Sequence, residues 1–117
     1  MVEITMQVSN SLANRIQSYG DWSATIIELS LVDFQCKQTR EARSRLIDFL
    51  SHNPSPHDVS DYYVSDKHQK RLDDLLDLNG EGEISDSQRK ELSEWTKLNH
   101  YSIMLKAKAA KLIKGIA

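Results

Sequence analysis

The chain is poor in cysteine, in aromatic residues, in long apolar runs and in net charge, and each shortage closes a possibility. Its one cysteine, Cys36, excludes an internal disulfide and fits a reducing cytoplasm. No apolar stretch is long enough to span a bilayer. The opening VEITMQV alternates polar with apolar where a secretory leader would run apolar, so neither membrane nor export is expected. With 27% charged residues but a formal net charge of −2, no general basic field invites nucleic acid or a membrane surface. At 117 residues one domain is the natural size, and a core this modest is often completed by oligomerisation.

Catalytic signatures are missing too. His52, His57, His68 and His100 do not recur at a metal-ligand spacing, and no second cysteine could join them. No glycine-rich phosphate loop follows a strand, and no Ser, His and Asp set stands out from the many serines. An enzyme is not expected, and no cofactor is implied. Cys36, just past an apolar segment, reads as inert filling of the core.

What is present is mainly helical. Val2, Ile4, Met6 and Val8 alternate with Glu3, Thr5 and Gln7, a period of two that predicts one short N-terminal β-strand. Ser9 or Ser11 then caps a short helix ended by Gly20. Asp21 or Ser23 caps a second, very apolar helix carrying Trp22, Ile26, Ile27, Leu29, Leu31, Val32 and Phe34. A third helix is expected over 40–51 with Thr39 as its cap, closed by HNPSP, where Pro54 forces Asn53 out of helical geometry. These signals divide the chain into a strand-helix-helix unit with a third helix at 1–53, a proline-containing linker at 54–64 and a helical hairpin at 65–117. In the hairpin, Ser65 caps the first helix, and Ser85 with Gln88 forms a capping box for a long second one. That helix sets Leu98, Leu105 and Leu112 seven apart, with Ser102, Ala109 and Ile116 between them, a seam suited to close helix contact. Unbroken, it outruns the core expected beneath it, so a second copy or a partner is expected over its far end.

Residues 71–100 hold four basic and eight acidic side chains, whereas the tail has Lys106, Lys108, Lys111 and Lys114 and no acid. Within the acidic stretch, DLNGEGEIS at 77–85 resembles a calcium-binding loop. From Asp77, Asn79 falls at position three, Glu81 at five and Gly82 at six, but position twelve is neutral Gln88 where a bidentate glutamate is needed. A helix-turn-helix with two glycines in the turn explains the same residues without metal. Asp77, Asn79 and Glu81 stay an alternative calcium set.

A strand at the start, then helix, glycine and helix, matches the ribbon-helix-helix plan, in which two chains pair strands for the DNA major groove. A homodimer is then expected through Ile4, Met6, Val8, Ile26, Ile27 and Leu31. Thr5 and Gln7 would face bases, and the region of Trp22 and Ser23 would hold phosphate. Charge opposes this, because residues 1–50 carry five basic and six acidic side chains, while phosphate contacts dominate DNA affinity. The pattern supports a dimeric scaffold that touches DNA, and the charge supports one that does not.

The runs ITMQVSNSLANRIQSYGDW, LIDFLSHNPSPHDV, RLDDLLDLNGEGEISDSQRKEL and IMLKAKAAKL together resemble a group of small bacterial proteins regarded as antitoxins of toxin–antitoxin pairs. Their most distinctive pieces are Ser55, Pro56 and Val59 in the linker, Asn79, Gly82, Ile84 and Ser85 in the turn, and MLKAKA at 104–109. The resemblance implies a dimerising N-terminal part, with possible contact to operator DNA, and a C-terminal helical part that masks a small toxin. Leu98, Tyr101, Leu105, Ala109 and Leu112 would then form the partner-binding surface. The alternative is a DNA-independent interaction scaffold.

Overall fold

A computed structural model describes residues 2–115 and contains six α-helices and no strand among them. The first correction is therefore to the N-terminal β-strand: residues 2–9 form neither helix nor strand, and Val2, Ile4 and Met6 are among the most exposed apolar side chains. Alternation marks which side of a strand would be apolar, but a strand forms only when its amides and carbonyls find a second one. No such neighbour exists among the described residues.

The chain first turns helical where Ser9, in extended geometry, accepts a hydrogen bond from the amide of Leu12 at 3.2 Å. Helix α1, Asn10–Ser18, buries none of its residues. Gly20 then takes φ +60, a left-handed conformation, and starts the single 3₁₀ turn Gly20–Trp22 that drives Trp22 into the core. Helix α2, Ser23–Leu31, follows with Ile26 and Leu29 buried. It stops short of the expected Phe34, because Val32 turns extended (φ −70, ψ 128), and alternation then puts Val32 and Phe34 inside and Asp33 and Gln35 outside.

Helix α3, Lys37–Ser51, begins before the expected start, and Cys36 is its cap residue without supplying a capping side chain. Thr39, Ala42, Leu46 and Leu50 line its buried face at spacings of three and four, one stripe of a helix. The stretch predicted as a linker holds helix α4, Pro56–Ser60, which starts with proline in the first turn and Ser55 accepting from Asp58 N at 3.1 Å. Its Val59 is fully buried and α4 packs on the C-terminal helix, so residues 54–64 are not a free tether.

Helix α5, Asp66–Gly80, is capped by Ser65, and helix α6, Asp86–Ile113, by the reciprocal Ser85 and Gln88 box. At about 1.5 Å per residue α6 is about 42 Å long and accounts for most of the 50 Å length of the molecule. It is the spine on which α3, α4 and α5 lie. One side of its far end is covered by the chain itself: Ala109 is fully buried, and Lys108 Nζ donates to the Asp21 carbonyl at 2.5 Å beside the Trp22 ring. The other side, with Lys111, Ile113 and Lys114, is exposed. Ile116, expected in the seam, lies outside the described residues.

Candidate functional site

Three features of this fold carry chemistry: a polar clasp on α6, a cavity beside it and an exposed apolar arm. The clasp begins with Glu94, whose carboxylate receives Gln35 N at 2.9 Å, Cys36 N at 3.1 Å and Thr39 Oγ1 at 2.5 Å. These donors lie at the start of α3, so Glu94 does from a distance of 55 to 59 residues what a local capping side chain normally does. Burial pushes its carboxyl pKa up, but the Thr39 hydroxyl and the two backbone amides together hold it below the ordinary value. One turn earlier Glu91 accepts a two-pronged bond from Arg71 at 2.8 and 2.9 Å and a third from Trp95 Nε1 at 2.9 Å. Arg71 is the main reason the Glu91 carboxyl sits low, against the opposing effect of burial. The nearby Cys36 thiol is pushed up by burial and then by the Glu94 carboxylate, which makes it a poor nucleophile.

The cavity, about 140 Å³, lies between α3, the segment 62–64, the first turns of α5 and the outer middle of α6. Leu46, Leu72, Leu98, Trp95 and the Tyr62 ring give it an apolar floor, and Asn99, Ser102 and Lys106 a polar side. Tyr62 stacks on Phe49 with ring centroids 4.6 Å apart, and Lys106 Nζ lies 4.1 Å from the centre of the exposed Tyr63 ring. His68, 1% exposed, forms one wall. Its Nδ1 is 3.0 Å from Ser65 Oγ, which also accepts the His68 amide, and its Nε2 is buried. That Nε2 has no hydrogen-bond partner among the described residues, and Glu41 Oε1 stands 3.9 Å away. Burial lowers the His68 pKa, outweighing the pull of Glu41 in the other direction.

The expected site residues separate into outside and inside groups. Ile4, Met6, Val8, Ile27 and Leu31 are exposed, as a dimer surface requires, whereas Ile26 is buried in the chain's own core. Thr5 and Gln7 are exposed, but Trp22 is 1% exposed with Nε1 bonded to the Pro54 carbonyl at 2.8 Å, and it cannot reach DNA; Ser23 is half-buried beside it. Leu98, Leu105 and Ala109 belong to the core, with Tyr101 and Leu112 half-buried against it. The seam is real, but its occupants are this chain's other helices. A heptad spacing cannot distinguish the two cases. On the outer side of α6, Ile103, Met104 and Ile113 are left exposed.

The calcium alternative also changes. Asp77 and Asn79 lie inside the last turns of α5, where residues two apart point away from each other, and Gly82 with φ +72 simply closes the helix. No group of three His, Cys, Asp or Glu side chains among the described residues could hold a metal ion. No described helix is long and apolar enough to cross a membrane. Sequence reasoning missed His68 and the Glu91–Glu94 pair; Ser65 three residues before His68 was the available signal, since it fixes that histidine in the first turn. The comparisons bring no relative to this geometry: no protein-family model, no curated protein and no solved structure matches the chain.

Proposed function

We propose that this chain is a non-enzymatic interaction protein of the antitoxin kind, which joins copies of itself through its N-terminal arm and binds a small protein toxin on the outer face of α6. One observation carries the reading. From residue 2 to residue 18 no described side chain is buried, yet Val2, Ile4, Met6, Val8 and Leu12 are apolar and exposed, with Ile27 and Leu31 exposed on α2. A segment that leaves this many apolar side chains exposed and buries none supports an interaction surface. For the toxin, Ile103 and Met104 offer an apolar strip beside Lys111 and Lys114, suited to an acidic groove. Operator contact gains little support, because Arg15 is the only Lys or Arg between residues 2 and 36.

Light scattering tests the self-association. The full chain should run at twice its 13.4 kDa mass, and the double variant Ile4→Asp, Met6→Asp at the single mass. A monomeric full chain at about 50 µM, a concentration where contacts worth about 6 kcal/mol hold, would reject the reading. For the partner, co-expression with the adjacent reading frame should yield a stoichiometric complex after nuclease treatment, and Met104→Glu should release it.

A further inference from the structure

We infer that the N-terminal arm of one copy seats in the cavity of a second copy, with Ile4 as the anchor and Glu3 paired with Lys106. This rests on the self-association proposed above and names its contacts.

The cavity has an apolar floor and a polar side. Its volume, about 140 Å³, suits a benzene-sized or branched aliphatic body, which is what Ile4 offers. An apolar side chain alone would leave Asn99 and Ser102 on the polar side without a partner in the occupant. A peptide segment brings backbone amides and carbonyls that those side chains can meet. The occupant that fits both sides is a stretch of main chain with an apolar anchor.

Charge narrows the choice further. Lys106 is the one cation among the residues lining the cavity that carries a fixed positive charge. Within residues 2–9 the one charged side chain is Glu3, immediately before Ile4. Length agrees as well: from Trp95 to Lys106 the α6 lining spans about 16 Å at 1.5 Å per residue, which about five residues of extended chain cover. Residues 2–6 supply that length.

The arm is directed to another copy by the geometry of α6. Lys108 faces Asp21 and Trp22, where the arm's own helices join the core, while Lys106 faces Tyr63 and the cavity. Two residues apart on a helix is roughly 200° around its axis, so the arm's root and the cavity open on opposite sides of the spine. Two copies that exchange arms form a closed pair, each giving one arm and receiving one.

Cross-linking of full-length chains tests this in a Cys36→Ser background. Ile4→Cys and Ser102→Cys chains, mixed and mildly oxidised, should form a disulfide-linked dimer at least fivefold more than either chain alone. Lys106→Glu in the receiving chain should cut that yield several-fold, and Glu3→Lys in the donating chain should restore it. If Ile4→Cys chains cross-link alone as well as the mixture does, arms meet arms: the dimer stands and the cavity assignment falls. If one chain carrying both cysteines closes on itself as a monomer, the exchange is overturned. If light scattering shows only monomer and no cross-link forms, the self-association reading falls with it.

Discussion

Glu94→Ala isolates the long-range cap. In the wild type the Glu94 carboxylate accepts the Gln35 and Cys36 amides and the Thr39 hydroxyl, and no side chain of the α3 cap residue replaces it. Thr39 has a second acceptor in the Cys36 carbonyl at 3.0 Å, so its bond need not be lost. The two amides have no such substitute within the described residues. A hydrogen bond to a charged group contributes about 1.5–3 kcal/mol, and exposed Gln35 regains water on one side, which favours the low end. The expected loss is about 3 kcal/mol, a large share of the roughly 5–15 kcal/mol that holds a domain together. Urea unfolding followed by circular dichroism should show the midpoint fall with the slope unchanged. Glu94→Gln, which keeps one acceptor oxygen, should lose about half as much. An Ala variant within about 0.5 kcal/mol of wild type, the usual range for surface changes, would refute the claim that Glu94 caps α3.

Four further outcomes follow from the same geometry. Burial lowers the folded pKa of His68 below the free value of about 6.5; its contribution to stability is intact above that value and is lost as pH falls from there toward the folded pKa. Denaturation at pH 7.5 and 5.5 should show a drop that His68→Phe removes, and an equal drop in that variant would refute the assignment. Glu91 and Glu94 have lowered pKa values, so their contribution is intact above about pH 4.5 and is lost as pH falls through the folded values; a melting temperature flat from pH 4.5 to 2.5 would contradict this. Gly20→Ala should cost at least 1–2 kcal/mol for its left-handed backbone, because φ is +60 and the new Cβ would lie 2.7 Å from Asn53 Oδ1, and a thermal melt will show it. Leu105→Glu should unfold the protein as well as disturb any partner contact, since Leu105 is 4% exposed; a variant that melts like wild type would place Leu105 on the surface.

The parts of the fold readable in the sequence are the ones decided within four or five residues. Ser9, Ser65 and the Ser85–Gln88 box announce helix starts because a capping oxygen reaches only its own first turn. Gly20 and the HNPSP run mark real breaks for equally local reasons. The failures are distant interactions. Helix α3 begins ahead of the expected position because its cap arrives from α6, and nothing near Cys36 discloses that. The arm alternates like a strand, but pairing is a property of two segments and the second is missing from the described residues. The heptad on α6 is a true packing stripe whose partner a single sequence does not identify. Glu91 and Glu94 read as the acidic start of a long helix, suited to its dipole, and only the fold shows them turned inward against Arg71 and Thr39.

Because α6 supplies the cap of α3, the clamp on Arg71 and a wall for Trp22, Leu50 and Val59, the order in which the chain is made matters. A ribosome makes α6 after α1 to α5. Until then Trp22, Leu29 and Leu50 have no spine to close on. The nascent chain therefore passes through a period when its core is still open and the apolar side chains meant for it face solvent.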